Sequence, residues 1–181
     1  MKYEKKLILK NGKELCLRSS NESDGREVLG VFLQTHAETD YLLSYPDECS
    51  FTVEQESAFL ARMENESKTV ELVAVIDGKI VGMGGFSPVG TYCKVSHRAE
   101  FGVSILKEYW GLGIGKALSL SCIECARKSG YTQLELDVVS ENVRAVAMYE
   151  KLGFVEYGRN PKGFKSRVGR YQETILMRLE L

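Results

Sequence analysis

One short stretch, Trp110-Gly111-Leu112-Gly113-Ile114-Gly115-Lys116, restricts the fold more than any other part of the chain. It follows Arg98 to Leu106, which reads as a strand, and it opens a segment from Lys116 to Ser129 with helical spacing. Glycines at alternate positions remove the Cβ atoms that would keep a ligand away from backbone N–H groups. A helix N-terminus adds unpaired N–H donors and a partial positive charge. Strand, glycine turn and helix together make a seat for a phosphate or pyrophosphate, or, more plainly, a tight packing turn. The spacing is GxGxG. It is neither the GxGxxG of dinucleotide-binding folds nor a P-loop, and Glu135, about 20 residues downstream, does not restore a dinucleotide site.

The surrounding periodicities give a mixed α/β order. Leu7 to Leu9, the turn Asn11-Gly12 and Glu14 to Arg18 read as a short hairpin or a strand with a turn. Val28, Leu29, Phe32 and Leu33 form one face of a first helix, and Thr52 precedes a second with Val53, Ala58, Phe59 and Met63 as its apolar positions. Val70 to Ile76, the turn Asp77-Gly78 and Lys79 to Ser87 form a hairpin. After the glycine turn and its helix come a strand at Leu134 to Val139, a helix capped by Asn142 and stopped by Gly153, and closing strands at Phe154 to Tyr157 and Tyr171 to Leu179. Gly158 to Arg170 reads as a long basic loop. The expected fold is a mixed, mostly antiparallel twisted sheet of about seven strands flanked by four helices.

At 181 residues the chain suits a single domain, 1–181. A net charge of −1 gives no support for nucleic-acid binding. No apolar run approaches the roughly 18 residues a membrane span needs, and Leu7-Ile8-Leu9 is too short for a signal-peptide core, so a cytoplasmic protein is expected. The five cysteines are odd in number and scattered, unlike a disulfide framework. Cys122-x-x-Cys125 lies mid-helix on the apolar side, with no second ligand pair to complete a metal site, so both read as buried thiols and no metal is expected.

A second motif, Asn142 to Phe154, follows the strand after the glycine helix. Ala145, Met148, Tyr149 and Leu152 share one face by spacing, which lets Tyr149 sit against the sheet with its hydroxyl free to reach a cleft. Trp110 to Lys116 together with Asn142 to Phe154 resembles the acetyl-CoA-binding motifs of the GNAT superfamily of N-acetyltransferases. Gly113-Ile114-Gly115 fills the second half of that family's (Q/R)-x-x-G-x-(G/A) loop, and Trp110 stands where the family has Gln or Arg. Asn142, Ala145, Tyr149, Gly153 and Phe154 meet N-x-x-A-x-x-x-Y-x-x-x-G-F.

The resemblance implies two neighbouring strands, Arg98 to Leu106 and Leu134 to Val139, that splay apart after a bulge. It implies pantetheine contacts from the backbone of Val103 and Ile105, a pyrophosphate held by the amides of Leu112, Gly113, Ile114, Gly115 and Lys116, and a contact from Asn142 near the pantetheine end. Acetyl transfer to an amine must deprotonate the acceptor and protonate the leaving thiolate. Tyr149 matches the family's general acid and Glu100 its general base, with His97 a weaker alternative. Transfer is then direct, with acetyl-CoA as cosubstrate and no cysteine nucleophile. The acceptor pocket would lie between His36–Ser50 and Gly158–Arg170. Glu38, Asp40 and Tyr41 could receive an ammonium group, and the basic segment could suit an acceptor carboxylate or phosphate. The expected acceptor is a small primary amine such as an amino acid or polyamine. Alternatives are a protein N-terminal or lysine acetyltransferase and a non-catalytic acyl-CoA-binding module. Homodimers are common in the superfamily, which makes one the expected assembly.

Overall fold

A computed structural model describes residues 2–181. Eight strands form one sheet in the order β1-β2-β3-β4-β5-β6-β8-β7. In chain order these are β1 (Glu4–Ile8), β2 (Glu14–Ser19), β3 (Val70–Ile76), β4 (Lys79–Pro88), β5 (Arg98–Ile105), β6 (Gln133–Val139), β7 (Val155–Lys165) and β8 (Tyr171–Glu180). The helices are α1 (Gly25–Ala37), α2 (Val53–Glu64), α3 (Ile114–Lys128) and α4 (Val143–Lys151). The expected architecture holds, with one strand more because the N-terminal segment folds as a full antiparallel hairpin.

Alternation along the strands assigns the helices to faces. Leu72 and Ala74 of β3 share a core with Leu118, Cys122 and Cys125 of α3 and Tyr149 of α4. Val73, between them in sequence, packs with Val28 and Val31 of α1 and Leu60 of α2 on the opposite face. The α3–α4 face therefore lies on one side of the sheet and the α1–α2 face on the other. Cys122 and Cys125 are fully buried, and desolvation pushes both thiols up, Cys125 to about 11. They behave as small core hydrophobes, as expected from their place on the helix.

Two expectations need correction. Gly158 to Arg170 is largely strand, not loop: β7 runs to Lys165, and only the turn from 166 to 170 leaves the sheet. Gly158, Pro161 and Gly163 broke the strand pattern, but two register shifts, at Glu156/Gly158 and Asn160/Phe164, absorb them. Nor is the splay preceded by a bulge in the β4–β5 ladder, whose register is continuous from Gly82↔Ile105 to Pro88↔Ala99. The divergence lies on the other side of β5. The parallel pairing of β5 with β6 covers only Arg98↔Gln133, Ala99↔Leu134 and Glu100↔Glu135. Beyond Glu100 the two strands separate.

Candidate active site

The separation opens a cleft of about 760 Å³ that reaches both faces of the sheet. Its edge on β5 carries backbone groups that no strand pairs. Leu106 donates to Val81 of β4, and Arg98 accepts from Val89. Backbone groups of alternate residues in an antiparallel ladder point to opposite sides. Arg98, Glu100, Gly102, Ser104 and Leu106 therefore face β4, whereas Val103 and Ile105 turn their N–H and C=O groups toward the cleft. Both residues line it.

At the end of that edge, Trp110 Nε1 donates to the Ile105 carbonyl at 2.7 Å. The residue that departs from the family pattern thus has a defined role, because its indole holds the turn against the end of β5. The turn needs its glycines. Gly111 and Gly113 have φ of +82° and +89°, values at which a side chain is strained. Gly113 caps α3, so the amides of Gly113, Ile114, Gly115 and Lys116 have no partner within the helix. No acidic residue occupies the first turn of α3, and the positive end of the dipole is left to an external anion. Gly113, Ile114, Gly115 and Lys116 line the cleft; Leu112 does not, and packs against the core instead.

On α4, the Asn142 side chain accepts from Ala145 N at 3.3 Å and caps the helix. Its oxygen is committed, and its NH₂ group remains for a ligand. Tyr149 is 7% exposed and lies edge-on to Phe101 and Phe154, with centroids 6.1 and 5.6 Å away. Its hydroxyl has no hydrogen-bond partner among the described residues, and the residue lines the cleft. Desolvation, with a small addition from Cys122, holds the phenol well above its ordinary range, so it is protonated at neutral pH.

Glu100 lies on the other face. Its neighbours Ala99 and Phe101 are buried in the α3–α4 core, so Glu100 points to the α1–α2 side, where it is exposed and lines the cleft. No ion pair engages it among the described residues. His97, just before β5, lies outside the lining. Tyr41 lines the cleft together with Thr39, Leu42 and Leu43. Asp40 does not; its carbonyl accepts from Gln172 Nε2 at 3.2 Å. Glu38 receives Lys107 N at 2.7 Å and so ties α1 to the segment before the glycine turn.

Asp137 went unnoticed in the sequence. Leu134, Leu136 and Val138 of β6 enter the α3–α4 core, which sends Glu135 and Asp137 to the α1–α2 face. Arg98 forks onto Glu135, with Nη2 at 2.6 Å from Oε2. Asp137 lines the cleft without such a partner among the described residues. Burial and the nearby Glu135 raise its pKa. The alternation of β6 was legible, but that its polar face borders a cleft depends on its pairing with β5, which is not.

Residues 32–154, more than half of the chain, match the acetyltransferase (GNAT) family. The chain is 34% identical over 89 residues to N-acetyltransferase 8B of Homo sapiens, a match covering 49% of this chain but only 39% of that protein's length. It is 31% identical over 117 residues to the L-amino acid N-acetyltransferase AaaT of Escherichia coli, covering 64% of this chain and 71% of the relative. An acetyltransferase of the GNAT family from Streptococcus pneumoniae superposes with a TM-score of 0.88 at 28% identity, over 92% of this chain and 99% of that one. A Salmonella typhimurium structure solved with acetyl-CoA shares the fold at a TM-score of 0.82 and 18% identity, over 92% of this chain and 94% of that one. With both motifs placed at one cleft and the family match spanning them, the chain belongs to the GNAT family of acetyltransferases.

Proposed function

We propose that the protein transfers the acetyl group of acetyl-CoA directly to the primary amine of a small acceptor. The observation that carries this reading is a single cleft reaching both faces of the sheet, with Tyr149 on one side and Glu100 on the other. Acetyl-CoA fits the α3–α4 side. The N–H and C=O groups of Val103 and the N–H of Ile105 offer strand-like partners to the amides of pantetheine. The amides of Gly113 to Lys116 offer an anion seat to the pyrophosphate, and the Asn142 NH₂ group lies near the pantetheine end.

The acceptor then enters from the α1–α2 side. Its amine nitrogen bonds to the acetyl carbon as the C–S bond breaks. Glu100 takes the amine proton, directly or through water, and the Tyr149 hydroxyl gives a proton to the departing sulfur. Both partners meet in one complex, so no covalent enzyme intermediate is needed.

A small acceptor is favoured by a bridge between the two walls of the acceptor side. Arg167, in the β7–β8 turn, donates to Asp47 at 2.6 Å and stacks over Tyr45 at 4.1 Å, while its amide donates to the Tyr45 hydroxyl at 3.1 Å. These contacts join the β7–β8 hairpin to the α1–α2 connection and narrow the groove a peptide would need. The E. coli relatives AaaT and MnaT are named as acting on L-amino acids, which supports a free amine as acceptor class.

The test is calorimetric titration with acetyl-CoA, with NADH as control, followed by thiol release with a panel of amines. Tight acetyl-CoA binding and turnover with a free amine are expected. Tyr149→Phe and Glu100→Gln should each lower kcat/KM by about 10²-fold. Failure of acetyl-CoA to bind would end the transferase reading.

A further inference from the structure

On the transferase reading above, we propose that the acceptor carries a second cationic group besides the reacting amine, and that Asp137 receives it. The substrate class is a short aliphatic di- or polyamine, in preference to an amino acid.

The first support is charge. Two carboxylates, Glu100 and Asp137, border the cleft on the α1–α2 side, one on each of the diverging strands. On that face Arg98 is bound to Glu135 and Arg178 pairs with Glu180. The basic residues of the neighbouring hairpin are also engaged elsewhere. Arg159 pairs with Glu156 and Glu173, Lys162 and Lys165 lie over the Tyr171 ring, Arg167 pairs with Asp47, and Arg170 pairs with Glu141. Phe164 alone of that hairpin lines the cleft. The α1–α2 wall of the cleft therefore offers two carboxylates, while the cations that line the cleft, Lys116, Arg144 and Lys151, belong to α3 and α4 on the opposite face. An α-carboxylate beside the reacting amine would meet like charge from Glu100 and Asp137.

The second support is spacing. Glu100 is level with Glu135 in the parallel register, and Asp137 is two residues further along β6. Two residues of strand and one strand spacing put the Cα atoms of Glu100 and Asp137 roughly 8 Å apart or more. Such a separation suits two ammonium groups joined by a few methylenes. Leu42, Leu43 and Phe164 supply apolar wall for that linker. Gly102, on the same face beside Glu100, leaves open space where a side chain would project.

The experiment compares kcat/KM of the full chain for 1,4-diaminobutane, butylamine and L-methionine, with acetyl-CoA binding followed separately by calorimetry. The diamine should exceed butylamine about tenfold or more, the size of one charge-assisted hydrogen bond, and L-methionine should fall below both. Asp137→Asn should bring the diamine-to-butylamine ratio close to one. Asp137→Glu, which keeps the charge, should retain a clear preference. A ratio unmoved in Asp137→Asn, or L-methionine as the best acceptor, overturns the assignment while leaving the transferase reading intact. Absence of both acetyl-CoA binding and turnover with every amine overturns the two together.

Discussion

Tyr149 and Glu100 sit at one cleft in different surroundings, because neighbouring elements turn one inward and the other outward. Desolvation raises the Tyr149 pKa, so its protonated, acid-competent form persists to higher pH than an ordinary phenol, whose pKa is about 10. The rate at saturating substrates should therefore show no decline from Tyr149 ionisation between about pH 8 and 10, a range that ends at the ordinary phenol value. A fall centred near pH 10 in the wild type but absent in Tyr149→Phe would show the hydroxyl to be wet. Gly102 gives a second test at this scale. Nothing lies within 4 Å of a Cβ built there, and its φ is not positive. Gly102→Val should fold, since β-branched residues suit strands. It should still bind acetyl-CoA, yet raise the acceptor KM about tenfold or more by filling the open floor, as steady-state kinetics would read. The roles of Tyr149 and Asn142 were legible because helical spacing is local. Asp137 was not, because its meaning comes from a neighbouring strand more than 30 residues away in sequence.

Elements show the same division between local and distant information. The Asp77-Gly78 turn, with φ of 51° and 76°, forms the tight hairpin its sequence promises. The glycine turn and α3 follow equally from local signals. β7 did not: Gly158, Pro161 and Gly163 look like breakers, and only the partner strand shows why they are tolerated. A Cβ at Gly163 would lie 2.2 Å from Thr174 Oγ1 of β8, so the bulge there needs a residue without one. A comparable close approach joins α1 to α2. A Cβ on Gly25 would lie 2.1 Å from Ser57 Oγ and 2.8 Å from its backbone nitrogen. The backbone cannot yield as a side chain would, so Gly25→Ala must push the helices apart. It should cost about 2 kcal/mol and lower the melting temperature by roughly 6 °C, measurable by thermal unfolding. An unchanged melting temperature would mean that the helix pair is looser than this packing.

At the scale of the whole molecule, the two helix layers are held by one sheet whose continuity is narrowest at its centre. The two layers have separate buried cores, and Tyr109, which lines the cleft, packs against both. A ligand bound between β5 and β6 therefore touches both layers at once. Acetyl-CoA at 100 times its Kd should stabilise the fold by about 2.7 kcal/mol, raising the melting temperature in proportion to the logarithm of its concentration. Trp110, the one tryptophan, lines the cleft, so its emission offers an optical record of the same event. No shift in either signal would place the ligand elsewhere. Among the described residues no helix is long and apolar enough to cross a membrane.

The three-residue contact between β5 and β6 has a mechanical consequence. It makes the sheet two plates joined at a short seam, one of β1 to β5 and one of β6 to β8. In the proposed complex the pantetheine arm takes the place of missing ladder rungs, so the cosubstrate is also building material for the sheet. Deuterium uptake at the amides of Val103 and Ile105 should then be rapid in the free protein and slow once acetyl-CoA is bound, while uptake within β3 barely changes. Each turnover would loosen and remake the seam.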